Sequence, residues 1–77
     1  MKKVKVYSTS ACPYCKMLKD FLQGKNVPFE NVDVGENHEA AKEMRDKSGQ
    51  LGVPVVDIEG KIIIGFDKEE ITKELGI

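Results

Sequence analysis

Lys3-Val4-Lys5-Val6-Tyr7-Ser8-Thr9-Ser10-Ala11-Cys12-Pro13-Tyr14-Cys15-Lys16-Met17-Leu18 is the stretch on which the fold turns, because its periodicity changes once, at a pair of cysteines. From Lys3 to Ser8 the residues alternate with a period of two, which predicts a strand. Beyond it, Tyr14, Met17, Leu18, Phe21 and Leu22 follow the spacing of an amphipathic helix that closes at Gly24. Cys12 falls at the helix start. Pro13 takes the first helical position, where its fixed φ is preorganised and its missing N–H is one the helix would not have used. Free N–H groups and the positive end of the macrodipole then point at the Cys12 sulfur and favour thiolate over thiol. Lys16 lies four residues on and is placed to add a second positive charge, although a solvated helix lysine reads the same way. Cys12 is the candidate nucleophile. Cys15, one turn deeper, is the candidate resolving thiol, which would attack a mixed disulfide on Cys12 and close an internal bond.

Seventy-seven residues predict a single domain over 1–77 with a modest hydrophobic core. The formal charge is -1, from 12 basic and 13 acidic residues that are interspersed. No basic field points to nucleic acid or to an anionic membrane. Met1-Lys2-Lys3 is not followed by the apolar run of a signal peptide, and nothing approaches the roughly 20 apolar residues of a membrane span. The expected location is therefore cytoplasmic. In that reducing setting two cysteines point to catalysis or metal binding ahead of structural stapling. A bridge closing so short a loop would add little stability.

Pro28 introduces a second predicted strand, Phe29 to Val34, ended by Gly35. Asn37 can cap a helix from about His38 to Lys47, whose thin apolar face is Ala40, Ala41 and Met44. Ser48 to Gly52 breaks it, and Val53 to Ile58 forms a third strand. Glu59-Gly60 is a two-residue hairpin turn into Lys61 to Ile64, so the last two strands should be antiparallel neighbours. The apolar run Ile62 to Ile64 predicts a strand covered on both faces. Asp67 to Glu70 has capping-box spacing and opens a final helix with Ile71 and Leu75 inward. The order is βαβαββα, an α/β fold with a right-handed crossover between the first two, parallel strands.

These residues carry a pattern. With Cys12-Pro13-Tyr14-Cys15 after the first strand, Val53-Pro54 before the third, and Gly65-Phe66-Asp67 leading into the last helix, the whole chain resembles a small glutaredoxin. The resemblance implies a thioredoxin-like fold with a four-stranded mixed sheet flanked by three helices. It also implies a dithiol-disulfide oxidoreductase acting on protein disulfides or glutathione mixed disulfides, with glutathione as reductant or substrate, no bound cofactor and a monomeric state. It makes the Val53-Pro54 bond cis and sets it facing the cysteines, where the Val53 backbone can pair with an extended substrate. It assigns the start of the last helix, at Asp67 and Lys68, to the carboxylate of the γ-glutamyl group of glutathione.

Two departures from the family pattern bear on glutathione affinity and leave the thiol chemistry untouched. Ile64 stands where a glycine precedes Gly65, and Ser8-Thr9-Ser10-Ala11 lacks a basic residue ahead of Cys12. A related branch, reduced by thioredoxin reductase and supplying ribonucleotide reductase, is compatible with Gly65-Phe66. A third reading is a module holding metal or an iron-sulfur cluster between two chains, but the sole His38 lies on a predicted surface helix and the metal expectation is none. A cysteine here can also stand in for a native selenocysteine. Tyr14 reads equally as a rim of the substrate groove or as core cover. Gly65 can admit substrate or merely end a strand, Phe66 reads more as a core plug than as a binding residue, and Met17 and Met44 read as core filler.

Overall fold

The structure is a computed structural model that describes residues 2–77. The elements follow the predicted order: β1 (Val4–Ser8), α1 (Pro13–Gly24), β2 (Glu30–Asp33), α2 (His38–Ser48), β3 (Val55–Ile58), β4 (Lys61–Ile64) and α3 (Lys68–Leu75). The sheet runs β2-β1-β3-β4. β1 pairs parallel with β2, and β3 pairs antiparallel with both β1 and β4. The β3–β4 turn has positive φ at both Glu59 and Gly60, the backbone a two-residue hairpin of this hand requires. The Asp57 carboxylate accepts the Gly60 N–H at 2.8 Å and helps hold that turn.

Strand alternation divides the interior into two layers. Val4, Val6, Val56, Ile58 and Ile63 pack with Leu18 and Leu22 of α1, Ile71 of α3, and Val27. On the opposite face Tyr7 and Val55 pack with Met44 of α2. Each fully buried aliphatic side chain contributes about 1.5–3 kcal/mol, so the first layer supplies most of the apolar stabilisation.

The second layer is smaller and is supplemented by charge. The Lys47 ammonium donates to the Asp57 carboxylate at 2.7 Å and to the buried Tyr7 hydroxyl at 3.2 Å. Glu43 lies 3.3 Å from Lys5 and 3.4 Å from Lys47. Lys5 and Lys47 also stand 5.3 and 5.7 Å from the Tyr7 ring centroid. Burial alone would raise the Asp57 carboxyl, but the hydrogen bonds from Lys47 and the Gly60 N–H hold it below the usual carboxylate range. The Glu43 carboxyl is likewise held down by Lys5 and Lys47 against the effect of burial. The Asp57 contact, outweighing burial, raises Lys47 above its ordinary value.

Two packing expectations are corrected. β4 is an edge strand, so Ile62 and Ile63 are covered from opposite sides while Ile64 is 54 % exposed. The buried stripe of α1 is Cys15, Leu18 and Leu22, which leaves Met17 on its shoulder, 50 % exposed; Met44 is core as expected.

Candidate redox site

Cys12 is the N-cap of α1, with extended backbone (φ -103, ψ 109) and Pro13 immediately inside the helix. Its sulfur occupies the place where a capping Asn or Asp puts an oxygen, accepting the Cys15 N–H at 3.1 Å. The Cys12 carbonyl accepts the Lys16 N–H at 3.2 Å, beginning the helical ladder. No acidic residue stands in the first turn of α1. The field of the helix start is therefore not spent on a neighbouring carboxylate. Cys12 and Cys15 are disulfide-bonded, with Cα atoms 5.2 Å apart. Cys12 is partly exposed while Cys15 is fully buried, so an incoming group meets Cys12 first.

The Val53–Pro54 peptide bond is cis and lies against the cysteine pair. The Val53 carbonyl oxygen is 3.9 Å from the Cys12 sulfur, and Pro54 is buried. The Pro54 carbonyl accepts the Gly65 N–H at 2.8 Å, tying the end of β4 to this loop. Gly65 has φ +81, which a side chain would strain, yet a Cβ there would meet nothing within 4 Å. Its glycine thus answers a backbone need, and Cys12, Val53, Pro54 and Gly65 form one chain of contacts.

The remaining candidates lie around that chain. Asp67 caps α3, its carboxylate accepting the Glu70 N–H at 3.1 Å, with Glu69 and Glu70 in the first turn. The Phe66 ring packs 5.9 Å from Phe21 and against the main core, the plug role of its two readings. The Lys68 ammonium lies 5.3 Å from the Phe21 ring centroid, partly occupied by a cation–π contact. Lys16 is exposed on α1. Tyr14 is 63 % exposed and covers no core. Leu51, 65 % exposed, sits two residues before Val53 and was not among the sequence candidates; a bulky apolar residue inside a glycine-flanked break was its only signal. Among the described residues no group of three or more His, Cys, Asp or Glu side chains is placed to share a metal ion, and no helix is long and apolar enough to cross a membrane. A groove of about 600 Å³ lined by Lys3, Val4, Pro28, Phe29 and Glu59 lies at the other end of β1 and takes no part in this site.

A mixed four-stranded sheet with a Cys-x-x-Cys pair at a helix start, facing a cis-proline loop, defines a thiol redox protein of the thioredoxin fold. Comparison with known proteins narrows the class. The Glutaredoxin family model matches residues 4–63. An uncharacterized glutaredoxin-like 8.6 kDa protein in the rubredoxin operon of Clostridium pasteurianum is 49 % identical over 70 residues, 91 % of this chain and 93 % of that one. Glutaredoxin 3 of Escherichia coli strain K12 is 34 % identical over 67 residues, covering 87 % of this chain and 81 % of the relative. Among solved structures, a variant of the thioredoxin-like protein BC3987 superposes with a TM-score of 0.93 at 34 % identity, covering 100 % of this chain and 99 % of the other. The chain belongs to the glutaredoxin family and is a glutaredoxin-like redox protein built on its cysteine pair.

Proposed function

We propose that this chain is a cytoplasmic, monomeric, single-domain oxidoreductase that reduces protein disulfides or glutathione mixed disulfides, with glutathione as its electron source. The observation that carries this reading is the contrast within the pair: Cys12 caps α1 at a partly exposed position, and Cys15 is buried behind it. The Cys12 thiolate attacks one sulfur of the substrate disulfide, which expels the other as a thiolate that takes up a proton. Cys15 then loses its proton and attacks the Cys12 sulfur of the mixed disulfide, releasing the second substrate thiol and closing the Cys12–Cys15 bond. Two glutathione molecules, oxidised together to glutathione disulfide, return the pair to the dithiol. Tyr14, Val53, Pro54, Gly65 and Phe66 frame the substrate, Pro13 and Lys16 tune the Cys12 sulfur, and the backbone N–H groups at Asp67 and Lys68 receive a substrate carboxylate. The two-thiol design fits a reducing compartment.

A second reading takes electrons from thioredoxin reductase and passes them to a partner such as ribonucleotide reductase. It is favoured by the α3 start, where Asp67, Glu69 and Glu70 crowd an incoming carboxylate and Lys68 rests on Phe21. The test is NADPH consumption by the oxidised protein, first with glutathione and glutathione reductase, then with thioredoxin reductase alone. Rapid turnover through glutathione supports the first reading. Turnover only through thioredoxin reductase replaces it with the second.

A further inference from the structure

Between the end of α2 and the cis-proline loop, one side chain holds the backbone. The Gln50 amide oxygen accepts the Gly52 N–H at 2.5 Å, and the Gln50 amide nitrogen donates to the Gly52 carbonyl at 3.0 Å. A single planar amide thus satisfies both backbone polar groups of one residue, as a neighbouring strand would. The clamp is itself anchored to α2. Ser48, the last residue of that helix, donates its hydroxyl to the Met44 carbonyl at 2.7 Å, and its oxygen accepts the Gln50 backbone N–H and side-chain amide, each at 3.4 Å.

Gly52 is what admits the clamp. It has no positive φ that would call for glycine, yet a Cβ there would meet the Gln50 amide oxygen at 2.6 Å. At that distance the amide has to swing away, which the far end of a flexible side chain does at little cost to the fold. The glycine therefore answers the clamp, where Gly65 answers its own backbone.

The peptide unit that follows belongs to the redox site. The Gly52–Val53 bond is trans and planar, so holding the Gly52 carbonyl also sets the direction of the Val53 N–H on its opposite edge. At the other end of the same residue, the Val53 carbonyl oxygen stands 3.9 Å from the Cys12 sulfur. Resting on the dithiol reading above, we infer that Gln50 is a positioning residue for disulfide exchange, fixing the Val53 backbone, through Gly52, in the orientation that pairs with an extended substrate beside Cys12. It acts through Gly52 and not on the sulfur. Disulfides carried on a peptide backbone feel the clamp, and a disulfide without peptide groups does not.

The test compares two disulfides, each reduced in single turnovers by excess, fully reduced protein without external reductant. One is a peptide disulfide, and the other is hydroxyethyl disulfide, which has no peptide groups. Each turnover oxidises the protein dithiol to the Cys12–Cys15 disulfide and reduces the substrate to two thiols. The net worth of one hydrogen bond is about fivefold, so Gln50→Ala should lower the ratio of the peptide rate to the small-disulfide rate by about that factor. Gly52→Ala, which displaces the amide from the other end, should lower the ratio equally, and the Gln50→Ala/Gly52→Ala double variant should fall no further than either single variant. Alkylation of Cys12 by iodoacetamide should keep its wild-type pH half-point in all three. An unchanged ratio in Gln50→Ala would overturn the inference, as would losses that multiply in the double variant or a moved alkylation half-point. A wild type that reduces neither disulfide would instead overturn the dithiol reading beneath it, and the inference with it.

Discussion

At the start of α3 the Asp67 carboxylate accepts the Glu70 N–H at 3.1 Å; at the start of α1 the Cys12 sulfur accepts the Cys15 N–H, also at 3.1 Å. The two caps share a backbone geometry and differ in what surrounds them. α3 follows its cap with Glu69 and Glu70, so its helix field is already answered by fixed negative charge. α1 follows its cap with Pro13, Tyr14 and Cys15 and has no acid in its first turn. The same device holds a carboxylate in one place, and in the other it leaves a sulfur as the principal recipient of the positive helix end. A cap becomes chemistry when its acceptor can gain or lose a bond and nothing else answers the field.

The largest effect that separates the two caps comes from Cys12→Asn. This change keeps a good capping side chain, so the reduced variant should melt close to the reduced wild type, while disulfide reduction falls by more than about 1,000-fold. Residual activity within tenfold of wild type would break the assignment. Next, Cys15→Ser should trap mixed disulfides on Cys12, visible by mass, and abolish protein-disulfide reduction. Reduction of a glutathionylated peptide should survive in that variant, because external glutathione can resolve Cys12.

Removing an oxygen cap should cost stability. Asp67→Ala is expected to cost about 1 kcal/mol in denaturant unfolding, with Asn37→Ala at the start of α2 costing a similar amount. The smallest effect concerns the charged layer under α2. Asp57 and Glu43 are held below their ordinary values, so each stabilises the folded state above the carboxylate range and loses that contribution as pH falls through its lowered value. Wild-type protein should therefore exceed Asp57→Asn in stability near neutrality by about 1 kcal/mol or less, and the two unfolding curves should converge once pH falls through the lowered Asp57 value. A gap that persists at low pH would assign the difference to packing.

Much of this arrangement is legible in the chain because it is local. The alternation of β1, the Cys12-Pro13 start of α1, the Glu59-Gly60 turn and the Asp67 cap all rest on neighbours within a few residues. The parts that are not legible depend on distant partners. Tyr7 is fully buried with its hydroxyl on Lys47, 40 residues away, and nothing near Tyr7 announces that contact. Ile64 reads as core in a run of three isoleucines and becomes surface only because β4 ends the sheet. Met17 fits the helical stripe, but Cys15 takes the buried position beside Leu18 and Leu22.

The central claim is that the α1 start favours thiolate at Cys12, and the pH dependence of alkylation of the reduced protein by iodoacetamide tests it most directly. Modified sites would be assigned by peptide mass. Modification should map to Cys12, with Cys15 protected by burial, and its rate should reach half its plateau well below the thiol's usual value of about 8.5. A half-point at or above that value, or equal modification of both cysteines, would contradict the account.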